Sequence, residues 1–182
     1  MVHIATNKDN KMKKLSFIIL SLGLLIAAPT AAFAKVNIFA CAPEWGTLVQ
    51  EIGGDKVKVY TASNANQDIH YMRAKPSLLA GMRKADLVVC SGASLEVGWL
   101  PILLNKAGGS QVQPGEVGSI MAADFVPLLG AMQHVDRSMG HIHPEGNPHV
   151  HLDPKNIVLV SKVIAERLSR ICLLYTSDAA DE

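Results

Sequence analysis

Short apolar segments typical of β-strands alternate with helical patterns along the chain, and this alternation limits the possible folds more than any other feature. Strands are predicted at residues 36–41, 57–61 and 85–90, and helices at 44–52 and 76–84. The pattern predicts an α/β fold with a mainly parallel sheet and helices on both faces. In such sheets ligands bind beyond the carboxyl ends of the strands.

Residues typical of helix ends support these boundaries. The glycine pair Gly53 and Gly54 follows the first predicted helix. Near the C-terminus, Asp153 is a good N-cap and Pro154 suits the first helical position. The spacing of apolar residues there predicts a buried stripe, formed by Ile157, Val160, Val163, Ile164 and Leu168.

The remaining segments are predicted as one further helix, two loops and a short element. A helical pattern restarts over residues 95–106, and residues 108–118 are rich in Gly, Gln and Pro. A brief element is expected around residues 120–126, and residues 133–147 are predicted to form a polar loop with several histidines. We find no internal repeat and no second domain in the sequence.

The N-terminus has the pattern of a secretory signal peptide. Lys13 and Lys14 precede an apolar run over residues 15–28, and a small-residue site ends at Ala34. The run is shorter than the roughly 20 residues of a membrane-spanning helix. We therefore predict that residues 1–34 are upstream residues and a cleaved signal peptide, and that the mature protein is periplasmic. A retained anchor is the alternative.

The last residues, 172–182, have neither helical periodicity nor a helix cap. They resemble the translation of a transposon-based sequencing adapter, so we expect the gene to continue beyond Ile171 with other residues. A real acidic tail is the alternative. Residues 35–171 then have the size of a single domain.

The charge balance argues against a nucleic-acid partner. The chain has 17 Lys and Arg against 16 Asp and Glu, and it has no basic run long enough to follow a phosphate backbone. We expect a monomeric protein without a nucleic-acid partner.

Histidines are concentrated near the predicted last helix, where five of the seven lie between His134 and His151. Neutral imidazole is the commonest metal ligand, and outside the cytoplasm it binds zinc or copper where thiolates would oxidise. His149 lies between two prolines just before a helix start, and His70 ends the loop after the second strand. Both are predicted at the ligand-binding edge of the sheet.

The other histidines allow more than one interpretation. His151 lies two residues after His149, so in an extended segment both side chains would face the same side and could bind one metal. A packing role is the alternative for His151. We interpret His134, His141 and His143 as residues of a solvated loop or as weak metal-collecting sites.

Four segments match a known family pattern in order and spacing. They are Glu51-Ile52-Gly53-Gly54-Asp55; Asp68-Ile69-His70 followed by Pro76-Ser77; Ala85-Asp86-Leu87-Val88-Val89 with Gly92 and Leu95-Glu96; and Pro148-His149-Val150-His151-Leu152-Asp153-Pro154. The chain resembles the metal-binding substrate-binding proteins of zinc and manganese ABC importers, the cluster A-I solute-binding family. The resemblance covers nearly all of residues 35–171.

The resemblance implies a two-lobed protein that holds a metal ion between its lobes and delivers it to an ABC permease in the inner membrane. His70 and His149 match the two ligands of the N-terminal lobe. The other two ligands, usually a third His and a carboxylate, belong to a C-terminal lobe that this sequence does not reach. The position of His151 is more often aromatic in the family, which favours packing there.

Zinc (Zn2+) is favoured over manganese (Mn2+), because the visible candidate ligands are imidazoles. One alternative is a secreted metallohydrolase, although the chain has neither H-E-x-x-H nor G-x-S-x-G. A metal-binding adhesin or buffer on the same fold is a second alternative. We expect a binding protein rather than an enzyme.

Two cysteines, Cys41 and Cys90, each lie at the carboxyl end of a predicted strand. An even pair in an oxidising compartment favours a disulfide. Two buried free thiols and lipidation of Cys41 are the alternatives.

Overall fold

The computed structural model describes residues 34–131 and 143–178, with side chains up to residue 173. Its parallel sheet has the order β2-β1-β3-β4. The strands are β1 (Val36–Ala40), β2 (Val57–Thr61), β3 (Leu87–Cys90) and β4 (Ser119–Met121). The predicted parallel α/β fold is confirmed. The short element expected around residues 120–126 is β4 followed by a 3₁₀ turn.

Helices cover both faces of the sheet. They are α1 (Pro43–Gly53), α2 (Pro76–Met82), α3 (Leu100–Ala107) and α4 (Pro154–Asp178). Buried residues of α1 and α4 form one apolar cluster on the sheet, and buried residues of α2 and α3 form another. Burying one large apolar side chain contributes about 1.5–3 kcal/mol. The two clusters therefore stabilise the sheet and the strand ends from which the loops extend.

Alternation along the central strand divides its side chains between these two clusters. Ile38 of β1 packs with α1 and α4, whereas Phe39, the next residue, packs with α2 and α3. Both side chains are buried, because β1 lies between β2 and β3 with a helical layer on each side. This explains why the strand is almost continuously apolar.

The last helix begins where its cap residue predicts. The Asp153 carboxylate accepts a hydrogen bond from the Lys155 backbone N–H at 2.9 Å, which satisfies a free N–H of the first turn. The predicted stripe packs on the sheet, with Val160 and Ile164 fully buried. The helix continues to Asp178, although Ile171 is its last buried residue among the side chains that are described.

The helix predicted over residues 95–106 begins later than expected. Residues 93–99 form turns, and α3 starts at Leu100 with Pro101 in its first turn. Proline is favoured in the first turn of a helix, which suits a start at Leu100. In the preceding segment the Glu96 carboxylate accepts hydrogen bonds from the backbone N–H groups of Ser91 and Gly92, which fixes a turn instead of a helical start.

Glu96 should make stability depend on pH. Its side chain is only 2% exposed, and burial raises the pKa of the carboxyl from about 4.5 to about 7, although the Ser91 and Gly92 hydrogen bonds oppose the shift. The charged form therefore destabilises the fold, and stability is lost as pH rises from the unfolded pKa to the folded pKa. We expect the free energy of unfolding to fall by about 2–3 kcal/mol between pH 5 and 8.

A Glu96→Gln variant is the matched control, because it keeps the shape of the side chain and cannot ionise. Urea unfolding of both proteins at pH 5 and pH 8 measures the effect, and the histidines common to both proteins cancel in the difference. An equal pH dependence in the two proteins would contradict the assignment.

No helix in residues 34–131 or 143–178 is long and apolar enough to cross a membrane.

Candidate metal site

The loops that follow β2, β3 and β4 meet at the carboxyl edge of the sheet. The loop after β2 leads to His70, the loop after β3 contains Ala93, and residues 143–151 lie beside them before α4. The Ser63 hydroxyl, in the loop after β2, donates to the Cys41 carbonyl at 2.8 Å and holds this loop on the central strand. Polar side chains from distant parts of the sequence therefore come together at one edge.

His70 lies in a short 3₁₀ turn, Ile69–Tyr71, that is anchored on both sides. The Asp68 carboxylate accepts from the His70 backbone N–H at 3.0 Å and lies 2.8 Å from its ring Nδ1. The Trp99 indole N–H donates to the Ile69 carbonyl at 3.1 Å. A carboxylate only accepts, so the proton is on Nδ1 and the Nε2 lone pair of His70 is available for a ligand.

His143 contacts His70, contrary to the interpretation of this residue as part of a solvated loop. Its Nδ1 lies 2.9 Å from the Ala93 carbonyl oxygen, and its Nε2 lies 3.1 Å from Nε2 of His70. The imidazole is partly buried. Gly146, three residues later, has a φ of 124°, and its backbone N–H donates to the His143 carbonyl at 3.0 Å. No sequence signal near His143 identifies its contact with His70.

The His149 ring lies close to those of His70 and His151. Its ring centroid is 5.7 Å from that of His70 and 5.9 Å from that of His151, and its backbone N–H donates to the Asn147 side-chain oxygen at 2.9 Å. Partial burial lowers the pKa of His149, and His151, His70 and His143 lower it further. The ring is therefore neutral, and able to bind a metal, at pH values where an ordinary histidine is protonated.

His151 packs on an aromatic ring behind His149. Its ring meets the edge of Trp45 in a T-shaped arrangement with centroids 6.2 Å apart. Its Nδ1 is buried without a hydrogen bond among the described residues, and the nearest charge is the Glu44 carboxylate at 3.4 Å. This environment agrees with a packing role, and the possible co-ligand role stays a prediction.

The imidazole nitrogens of these histidines do not converge on a single point. Within the described part of the chain, no three imidazole nitrogens lie within 4.8 Å of one another. The described set that meets this distance is Cys41, Cys90 and Glu96, but the two cysteines form a disulfide. His134 and His141 lie outside the described residues.

The disulfide joins neighbouring strands directly beneath this edge. Cys41 follows β1 and Cys90 ends β3, with Cα atoms 4.8 Å apart. This separation lies within the usual range for a bridged pair. The bond fixes the carboxyl ends of the two strands whose loops lead to α1 and to Ala93.

Solved periplasmic metal-binding proteins share this fold. The Mn-bound periplasmic metal binding protein from Candidatus Liberibacter asiaticus matches with a TM-score of 0.55 and 20% identity, over 79% of this chain and 53% of that protein. Zn(II)-bound AdcA from Streptococcus pneumoniae matches with a TM-score of 0.56 and 22% identity, over 81% of this chain and 30% of that protein. The fold is therefore that of part of this class of α/β proteins, since the matches cover 53% and 30% of the two solved proteins.

The sequence shows the family. Residues 38–172 match the family described as Zinc-uptake complex component A periplasmic, and the chain belongs to this family. A metal ABC transporter substrate-binding lipoprotein from Lactococcus lactis subsp. lactis (strain IL1403) is 22% identical over 139 residues, which are 75% of this chain and 41% of that protein. The chain thus spans about half or less of the length of these relatives. The resemblance inferred from the four sequence segments is confirmed.

Proposed function

We propose that the chain is the metal-capturing N-terminal lobe of a substrate-binding protein that delivers a divalent transition metal to an ABC importer. The observation that supports this most is the pairing of an oriented imidazole, His70, with the His149 ring 5.7 Å away at the carboxyl edge of the sheet. His70 and His149 are also the residues that match the ligands of the family's N-terminal lobe. The family membership and the metal-transport relatives support the same role.

Zinc is the metal that we propose. Imidazole nitrogen suits zinc better than it suits manganese, which prefers carboxylate and water oxygens. The ring nitrogens at this edge come from histidines, and the nearest carboxylate, Asp68, is occupied by the His70 ring and backbone N–H groups. The site is therefore expected to bind Zn2+ more tightly than Mn2+.

The proposed partner is an ABC permease in the inner membrane, and the proposed location is the periplasm, with Lys35 as the first mature residue. Intact-mass analysis of periplasmic material would test the cleavage site. We propose a monomeric binding protein without catalytic activity. Permease and ATPase genes next to this gene would favour transport over adhesion or metal buffering.

Isothermal titration of the chain with Zn2+, and separately with Mn2+, tests the proposal. We expect one zinc ion per chain and a smaller affinity for manganese. Equal or tighter manganese binding would overturn the metal preference. A chain that binds neither ion would contradict metal capture by the residues of this lobe alone.

Asp68 should support zinc binding without touching the metal. Its carboxylate orients the His70 ring and increases the basicity of Nε2, and losing such a partner typically reduces metal affinity 10–100-fold. An Asp68→Asn variant should therefore bind zinc about 10–100 times more weakly in a competition assay with a chelator. Asp86→Asn is the comparison, because Asp86 contacts Asn37, at the opposite end of the sheet, and not a histidine. Unchanged zinc affinity in Asp68→Asn would contradict this role.

A further inference from the structure

We infer that His143 is a third imidazole ligand of the metal bound by His70 and His149, so that this lobe alone contributes three histidines. The inference rests on the proposed function and goes beyond the two ligands that match the family. It starts from the close approach of the two Nε2 atoms of His70 and His143, 3.1 Å apart.

Each of these rings has its proton on the other nitrogen. The partner of His143 Nδ1 is the Ala93 carbonyl oxygen, and the partner of His70 Nδ1 is the Asp68 carboxylate. Both partners only accept hydrogen bonds, so both Nδ1 atoms donate. In the neutral rings the two Nε2 atoms then present lone pairs to each other, and this arrangement is favourable when a metal ion or a proton lies between them.

The distance fits a shared ion. Two imidazole nitrogens bound to zinc at about 2.0–2.1 Å with tetrahedral angles lie roughly 3.3–3.5 Å apart. The observed separation of 3.1 Å between the Nε2 atoms of His70 and His143 would need to increase only slightly to fit a zinc ion. His149 would complete the set by moving its ring toward this pair, since three nitrogens do not yet lie within 4.8 Å of one another in the described residues.

The backbone around Ala93 holds His143 in place. Gly92, Ala93 and Ser94 have successive positive φ values of 78°, 46° and 64°. Such conformations cost free energy in residues other than glycine, and they are concentrated at functional sites. The carboxyl oxygens of Glu96 accept hydrogen bonds from the Ser91 and Gly92 N–H groups, which connects its side chain to this turn.

The segment after His143 is attached to the same turn. The Ser94 hydroxyl donates to the Glu145 carboxylate at 3.2 Å, and the Gly146 N–H donates to the His143 carbonyl at 3.0 Å. A strained turn therefore orients His143 from one side while a tight turn fixes its backbone from the other. Three imidazoles leave one position of a tetrahedral zinc ion for a ligand from elsewhere.

Zinc titration of His143→Ala tests the inference, with His134→Ala as the control from the same histidine-rich segment. We expect His143→Ala to lose more than about 100-fold in zinc affinity, beyond the effect of removing a hydrogen-bonding partner of a ligand. His134→Ala should bind like the unaltered chain. If His143→Ala also binds like the unaltered chain while His70→Ala loses affinity, the inference fails and the proposed function stands.

X-ray absorption of the zinc-loaded unaltered chain gives a second readout that does not depend on the folding of a variant. Scattering from three imidazoles is expected, and scattering from two would overturn the inference. If His70→Ala, His149→Ala and His143→Ala all bind zinc like the unaltered chain, the proposed function fails as well.

Discussion

Zinc affinity should fall more than about 100-fold when His149 is replaced by alanine, and by a similar amount when His70 is replaced. A metal ligand contributes a bond directly, so its loss should exceed the 10–100-fold effect of losing a group that only orients a ligand. Both side chains lie at the surface of the sheet edge, outside the two apolar clusters. The loss should therefore be one of binding rather than of folding.

The measurement is zinc titration in the presence of a competing chelator, with thermal unfolding of each metal-free variant as the check on folding. His134→Ala and His141→Ala are the controls, and both are expected to bind zinc like the unaltered chain. Full affinity in His149→Ala would overturn its assignment as a ligand, even if His70→Ala behaved as expected.

Zinc binding should weaken at acidic pH, because protons compete with the metal for the imidazole nitrogens. Only an unprotonated imidazole binds zinc, so acidification weakens binding. The pKa of His149 is lowered by partial burial and by the neighbouring histidines, which keeps this ring neutral further into the acid range than an ordinary histidine. The neighbouring histidines thus favour the neutral, metal-binding form of His149.

The sheet and its edge could be predicted from the sequence because they depend on local patterns. The apolar strands, Gly53 and Gly54 after α1, and Asp153 before α4 all follow rules that act over a few residues. His70 and His149 could be placed at the carboxyl edge for the same reason, since the ends of parallel strands share one edge.

The contact of His143 could not be predicted in this way, because it depends on residues about 50 and 70 positions away. Its ring is oriented by the carbonyl of Ala93 and approaches His70, and neither neighbour is visible in the polar sequence around it. The predicted start of α3 at residue 95 was wrong for a related reason. The helical pattern over residues 95–99 is overridden by the Glu96 carboxylate, which bonds to the backbone N–H groups before it.

Removing the bond between Cys41 and Cys90 should reduce stability by about 4 kcal/mol, the second large effect that we expect. The two residues are separated by 49 positions, and a crosslink that closes a loop of this length restricts the unfolded chain by about this much. For a domain of this size, about 4 kcal/mol corresponds to a fall in Tm of roughly 8–16 °C. Both cysteines are fully buried.

Thermal unfolding with and without reductant measures this effect. The Tm of the unaltered chain should fall on reduction under conditions that reach the buried bond, whereas the Tm of a Cys41→Ala/Cys90→Ala variant should not respond. Cys172→Ser is the control, because Cys172 is the free cysteine, and it should respond to reductant like the unaltered chain. Two titratable thiols in the unfolded, unreduced chain beyond that of Cys172 would show that the pair is not bridged. In that case the ends of β1 and β3 would be held beneath the histidines by packing and backbone hydrogen bonds alone.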